Sequence, residues 1–221
     1  MSTNKKQVIL YVDGFALYKG LLQYRYPKYK WLDLTALADR LFHQYEVTQV
    51  RYFTARLKPL PNDPQMPQRQ QAYLRALETR PRITTHYGTY ILSKQWLPVH
   101  PQEMRPDGKV KTVRVKRPEE KGSDVSLASH LMMDAFRDRA DLYAVLTNDS
   151  DLVTPLKLIS TEGRRRVALV SIAGEHYNKA FNDIDLATIR IVREGSLRES
   201  QLPPRFKDAA GRWIHKPSTW T

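Results

Sequence analysis

Apolar positions along the chain switch repeatedly between two rhythms. Gln7-Val8-Ile9-Leu10-Tyr11-Val12 is a continuous β-branched-rich run that stops at Asp13-Gly14. That profile predicts a strand buried on both faces, as in a parallel sheet. Leu34, Leu37, Ala38, Leu41 and Phe42 then recur at helical spacing behind Asp33, which is placed to cap the helix. Val47 to Ala55 reads as a second strand, and the proline-rich stretch Lys58 to Pro67 as a loop. A helix follows through Gln71, Tyr73, Leu74 and Leu77, and strands are expected at Ile83 to Leu92 and Lys109 to Lys116.

Val125, Ala128, Leu131, Met132, Ala135 and Phe136 mark an amphipathic helix, and Leu142 to Leu146 a short apolar strand. Next come a helix from about Leu152 to Thr161, a strand at Arg166 to Val170, and a short helix near Glu175 to Phe181. Strands alternating with helices predict an α/β domain with a largely parallel sheet. From Glu194 the periodicity fades, while Pro203, Pro204, Gly211 and Pro217 punctuate a stretch anchored by Phe206, Trp213, Ile214 and Trp220. The expected division is therefore a domain at residues 1–193 and an extended arm at residues 194–221, packed on the domain or on a partner.

Composition narrows the function classes. None of the 221 residues is cysteine, so disulfide scaffolds, thiolate zinc sites and cysteine nucleophiles are excluded. No apolar run approaches the roughly 18–20 residues of a membrane span, and Met1 to Lys6 does not read as a secretory leader. The expectation is a cytoplasmic protein without membrane contact. Thirty-six Lys and Arg against 23 Asp and Glu give a net charge of +13. Such a surplus favours a polyanionic partner, nucleic acid first.

Against that surplus stand a few acids at telling positions. Asp13 ends the first strand, Asp149 and Asp151 follow another, and Asp124 opens the long amphipathic helix after Lys121-Gly122-Ser123. In open α/β sheets, ligands bind beyond the carboxyl ends of the strands, where these acids would converge. Hard oxygen donors without grouped histidine or cysteine favour Mg²⁺ or Mn²⁺. In a basic protein that combination suggests phosphodiester chemistry. Each acid also has a plainer reading: Asp13-Gly14 as a strand-ending turn, and Asp124 and Asp151 as helix caps.

Together, Val8-Ile9-Leu10-Tyr11-Val12-Asp13-Gly14-Phe15, Lys121-Gly122-Ser123-Asp124 and Thr147-Asn148-Asp149-Ser150-Asp151-Leu152 resemble the NYN domain, a branch of the PIN-like nuclease superfamily. The likeness runs over about residues 7–192, and the tail with Leu202-Pro203-Pro204, Lys216-Pro217 and Trp220 resembles an extension of bacterial members. The resemblance implies a three-layer α/β/α PIN-like fold and an Mg²⁺- or Mn²⁺-dependent endoribonuclease that leaves 5′-phosphate and 3′-hydroxyl ends. It implies metal ligands at Asp13, Asp124 and Asp149, with Asp151 completing the cluster. Two positions depart from the family pattern: Ala16 stands where an Asn is common, and Ser126 likewise. Ala16 has no side-chain hydrogen bond to offer. An RNA-binding or regulatory protein with weakened or lost nuclease activity is accordingly the alternative.

Around the acids, Ser123, Asn148 and Ser150 are the expected polar contacts to substrate, with Lys121 beside the phosphate or merely solvated. Lys109, Lys111, Arg114, Lys116 and Arg117 alternate with Val110, Val113 and Val115. Such a strand suits a phosphate-lined groove, with Lys116 and Arg114 as contacts, or equally a lysine-guarded edge. Tyr24, Tyr26, Tyr29 and Trp31, mixed with Arg25, Lys28 and Lys30, either stack single-stranded bases or pack under a loop. Arg164-Arg165-Arg166 precedes a strand and is expected far from the acids; His130 is expected to be structural. A phosphatase of the type with two aspartates on its first strand is excluded, because position 15 is Phe. RNA, single-stranded or structured, is the expected partner, and a homodimer through the arm is left open.

Overall fold

The computed structural model describes residues 5–220. In chain order these form β1 (Gln7–Asp13), α1 (Gly14–Leu17), α2 (Leu34–Leu41), β2 (Glu46–Ala55), α3 (Met66–Glu78), β3 (Ile83–Pro98) and β4 (Thr112–Lys121). There follow α4 (Ser123–Phe136), β5 (Leu142–Leu146), α5 (Val153–Thr161), β6 (Val167–Ser171), β7 (Leu186–Ile191), α6 (Glu194–Glu199), β8 (Arg205–Lys207) and β9 (Trp213–His215). Seven strands make one sheet in the order β4-β3-β2-β1-β5-β6-β7, parallel throughout except for β3 against β4.

The buried run in β1 serves two cores at once because successive side chains point to opposite faces. Val8, Leu10 and Val12 join Leu34, Leu37 and Leu41 of α2 and Leu74 and Leu77 of α3. Ile9 and Tyr11 join Leu127 and Leu131 of α4 and Leu156 and Ile159 of α5 on the other face. Helices thus cover both sides of a mostly parallel sheet, giving three α/β/α layers. Connections on one side of β1 run through α2 and α3, and those on the other side through α4 and α5. The boundary between β1 and β5 is therefore the switch point, where such sheets open a crevice.

Several elements differ from the sequence expectation. β3 runs on to Pro98, since its first half pairs with β2 and its second half, Thr89 to Pro98, pairs with β4. β4 starts at Thr112 rather than Lys109 and ends on Lys121; Lys109 lies in the connecting loop. β7 has no counterpart in the sequence reading, because its mixed LATIRI pattern lacks a clean period. The short helix expected near Glu175 is a 3-10 turn at Lys179–Asp183, capped by Asn178.

The last segment packs on its own domain and is not simply extended: it holds α6 and the β8–β9 hairpin. Trp31 is fully buried and donates its Nε1 hydrogen to Pro203 O at 2.8 Å, while Leu202 N donates to Trp31 O at 2.9 Å. Trp220 packs edge-on against Trp31 and Tyr73, with ring centroids 6.1 and 6.0 Å away. Ile214 enters the core, whereas Trp213 is half exposed and does not anchor. Tyr29 is likewise buried, its hydroxyl donating to Glu194 at 3.1 Å, and Lys28 pairs with Glu194. Packing therefore accounts for Tyr29 and Trp31, and only Tyr24 of that aromatic segment stands well out into solvent.

Candidate functional site

The switch point puts the carboxyl ends of β1 and β5 side by side, with Val12 opposite Leu146 in register. Asp13, the last residue of β1, is buried, and its Oδ1 accepts from Ala16 N at 2.9 Å to cap α1. The chain turns sharply there because position 14 is glycine: a Cβ on Gly14 would lie 2.6 Å from Phe53 O. The other oxygen, Oδ2, accepts from the hydroxyl of Thr147 at 3.1 Å. Thr147 Oγ1 in turn accepts from Asp149 N at 3.1 Å, and Asp149 Oδ1 accepts from Asp151 N at 3.0 Å. One chain of hydrogen bonds thus fixes the loop after β5 to the end of β1.

Asp124 arrives from a third direction. Gly122, at φ +90°, is the left-handed residue that turns β4 into α4. Asp124 lies in the first turn of α4 and is not its cap, so capping does not explain it. Burial pushes its carboxyl up to about 6, helped by the negative charges of Asp13, Glu120, Asp149 and Asp151. Burial also raises Asp13, against the lowering effect of the bonds from Ala16 and Thr147, while Asp149 adds to the rise. The four predicted acids therefore share one electrostatic environment. Sequence reasoning gave no role to Thr147, which ties them together although it opens a noted motif, and missed Glu120, which adds a fifth negative charge just before another.

The other predicted residues divide. Ser123 is buried with its Oγ unpartnered, and its N donates to Glu120 at 3.0 Å. Asn148 uses its side-chain oxygen to accept from Asn178 N at 3.0 Å, which makes it a loop fastener. Ser150 and Asp151 are exposed at the rim. Asp151 does not cap the following helix; Asp149 caps the short turn Ser150–Leu152 instead. Lys121 lies at the end of β4, 3.7 Å from Glu119, and Arg114 and Lys116 are exposed farther along that strand. Arg164 to Arg166 precede the amino end of β6, at the opposite edge of the sheet from the acids. His130 bonds through Nδ1 to Ser126 O at 2.8 Å and packs on His86, in keeping with a structural role.

As a metal centre the cluster fits in donor type but not in spacing. Carboxylate oxygens crowded against like charge suit a hard cation. Among the described residues, however, no three acidic or histidine groups lie close enough together to hold one ion.

No protein-family model matches the chain. Over 220 residues it is 27% identical to a 6-hydroxy-3-succinoylpyridine 3-monooxygenase, HspA, of Pseudomonas putida, covering 88% of this chain and 69% of the relative. Among solved structures, a Vibrio parahaemolyticus protein of unknown function aligns with 91% of this chain and 99% of its own, at a TM-score of 0.55 and 15% identity. That likeness concerns the fold alone.

These findings correct the expected enzyme class. The curated relative is named as a monooxygenase, an oxidoreductase, and not as a hydrolase of phosphodiesters. The expectation of an Mg²⁺- or Mn²⁺-dependent ribonuclease is overturned by that name. The broader α/β/α architecture stands, and no helix among the described residues is long and apolar enough to cross a membrane.

Proposed function

We propose that the protein binds single-stranded RNA at the carboxyl edge of its sheet, where Asp13, Asp124, Asp149 and Asp151 would attract a divalent cation, Mg²⁺ or Mn²⁺, that would supply positive charge for the RNA backbone. The supporting observation is the cluster of Asp13, Asp124, Asp149 and Asp151, where burial, helped by the neighbouring negative charges, pushes the Asp124 carboxyl up to about 6 in a protein of net charge +13. An anion enters such a hollow only if a cation intervenes. Because the acids are not gathered into one ligand shell, the ion would keep much of its water, as Mg²⁺ does readily. The resemblance to the NYN domain points the same way, and Ala16 in place of the usual Asn suits a binding protein.

The curated relative favours a second reading, oxygenation of a substituted pyridine. A succinoylpyridine carries a carboxylate, so it too would need a cation to approach these acids. The two readings therefore share the ion and differ in the ligand.

Fluorescence anisotropy with a labelled single-stranded RNA, with Mn²⁺ or with EDTA, tests the first. Cation-dependent binding that is lost in Asp149→Asn is expected, and a denaturing gel of the recovered RNA separates binding from any chemistry on it. No binding in either buffer, together with dioxygen uptake on 6-hydroxy-3-succinoylpyridine and a two-electron reductant, would establish the second reading instead.

A further inference from the structure

Beyond Gly88 the sheet continues only as two strands, the outer half of β3 and β4, which form a ribbon past the carboxyl edge. Directly opposed residues of an antiparallel pair share a face. On one face lie Ile91 with Glu119, Ser93 with Arg117, and Thr89 with Lys121. There both cations have an acidic partner: Glu119 is 3.3 Å from Arg117 and 3.7 Å from Lys121. On the other face lie Tyr90 with Glu120, Lys94 with Lys116, and Trp96 with Arg114.

That second face is out of balance. Lys94 and Lys116 are directly opposed like charges, an arrangement that destabilises a ribbon. Among the described residues no carboxylate is within ion-pair reach of Lys94, Lys116 or Arg114, which leaves three cations around an indole that is 63% exposed. Guarding an edge against aggregation explains lysines, but not an exposed tryptophan among them. The same face begins at Glu120, whose charge acts on Asp124. Lys116 lies about 13 Å along the strand from Glu120, and Arg114 about 20 Å. The cationic face therefore leads directly out of the acidic hollow.

We infer that this face, Lys94, Trp96, Arg114 and Lys116, is a docking track for single-stranded RNA leaving the hollow. One base stacks on Trp96, and successive phosphates neutralise the opposed lysines and Arg114. Stacking on an aromatic side chain with cations along the backbone is the general chemistry of single-strand binding. The inference rests on the RNA reading above and adds the path and the residues that hold the strand.

Anisotropy titrations of a short labelled oligouridylate across a salt series test it. Trp96→Ala should weaken binding about tenfold or more. Lys94→Gln/Lys116→Gln should flatten the dependence of log affinity on log salt by about 1.4, at roughly 0.7 per lost phosphate contact. The charge-matched control Arg137→Gln/Lys157→Gln, on exposed positions after α4 and in α5, outside the β3–β4 ribbon, should keep the wild-type slope. If the wild type binds and all variants bind alike, or if both double variants lose equally, the track is wrong while RNA binding stands. If the wild type does not bind at all, the RNA reading fails and the track falls with it. Circular dichroism of each variant excludes unfolding as a cause.

Discussion

The hydroxyl of Thr147 donates to Asp13 Oδ2 at 3.1 Å, joining two strand ends that are 134 residues apart in the chain. Thr147 Oγ1 also accepts from Asp149 N, so one fully buried side chain holds both acidic turns in place. Thr147→Val keeps the shape and removes the hydroxyl, leaving a buried carboxylate oxygen and a backbone N–H without partners. A loss of about 2 kcal/mol in urea unfolding is expected. On the proposed reading, cation-dependent RNA binding should weaken as well, because Asp149 loses its tether.

The raised carboxyl of Asp124 sets a pH dependence of definite sign. Its folded value, about 6, lies above the ordinary 3.8, so the folded state takes up a proton more readily than the unfolded chain. Stability from this group is full below the ordinary value and is lost as the pH rises through about 6. Thermal melts should therefore show stability rising as the pH is lowered from 7 towards 5. Asp124→Asn should flatten that slope, leaving the share of Asp13, whose carboxyl burial also raises, and stabilise the protein at pH 7 by about 1 kcal/mol, allowing for solvent screening.

A second acid, Asp134, is buried with a cation as its partner. Asp134, buried on α4, accepts from the Tyr11 hydroxyl at 2.8 Å and lies 2.7 Å from Arg51 Nε, an ion pair rather than an aligned hydrogen bond. Asp134→Ala leaves the nearly buried guanidinium without its partner and the phenol without an acceptor. Denaturant unfolding should show a loss of about 3–5 kcal/mol. Because Asp134 is not among the acids acting on Asp124, the melting slope attributed to Asp124 should persist.

Trp220 closes the arm over Trp31 and Tyr73. Trp220→Ala should lower stability by about 2 kcal/mol, less than full burial would give because the ring is only partly covered. A calorimetric scan with no change in melting temperature would contradict the packed arm.

Much of the scaffold was legible because local signals agreed with it. The apolar run in β1, the cap at Asp33 and the stripe through Leu131 and Ala135 each carry their own period, and each element formed where expected, although Val125 and Phe136 of that stripe are exposed and Leu127, which it left out, is buried. β7 escaped because its alternation is irregular, and the length of β3 escaped because pairing with β4 extends it. Trp31 and Tyr29 read equally well as a stacking platform or as core; the arm that covers them decided the matter.

For the site, the sequence by itself determined that Asp13, Asp124, Asp149 and Asp151 stand at strand ends and at a helix start. It also set the surplus of positive charge in which they sit. Only the tertiary structure decided that these acids share one field. That depends on the order β2-β1-β5 and on the buried hydroxyl of Thr147. It likewise decided which cations remain unpaired, since opposition across an antiparallel pair separates Lys94, Arg114 and Lys116 from Glu119. The physical reason is the same in each case: electrostatic coupling falls with distance through space, and distance through space is what a fold, and not a sequence, assigns.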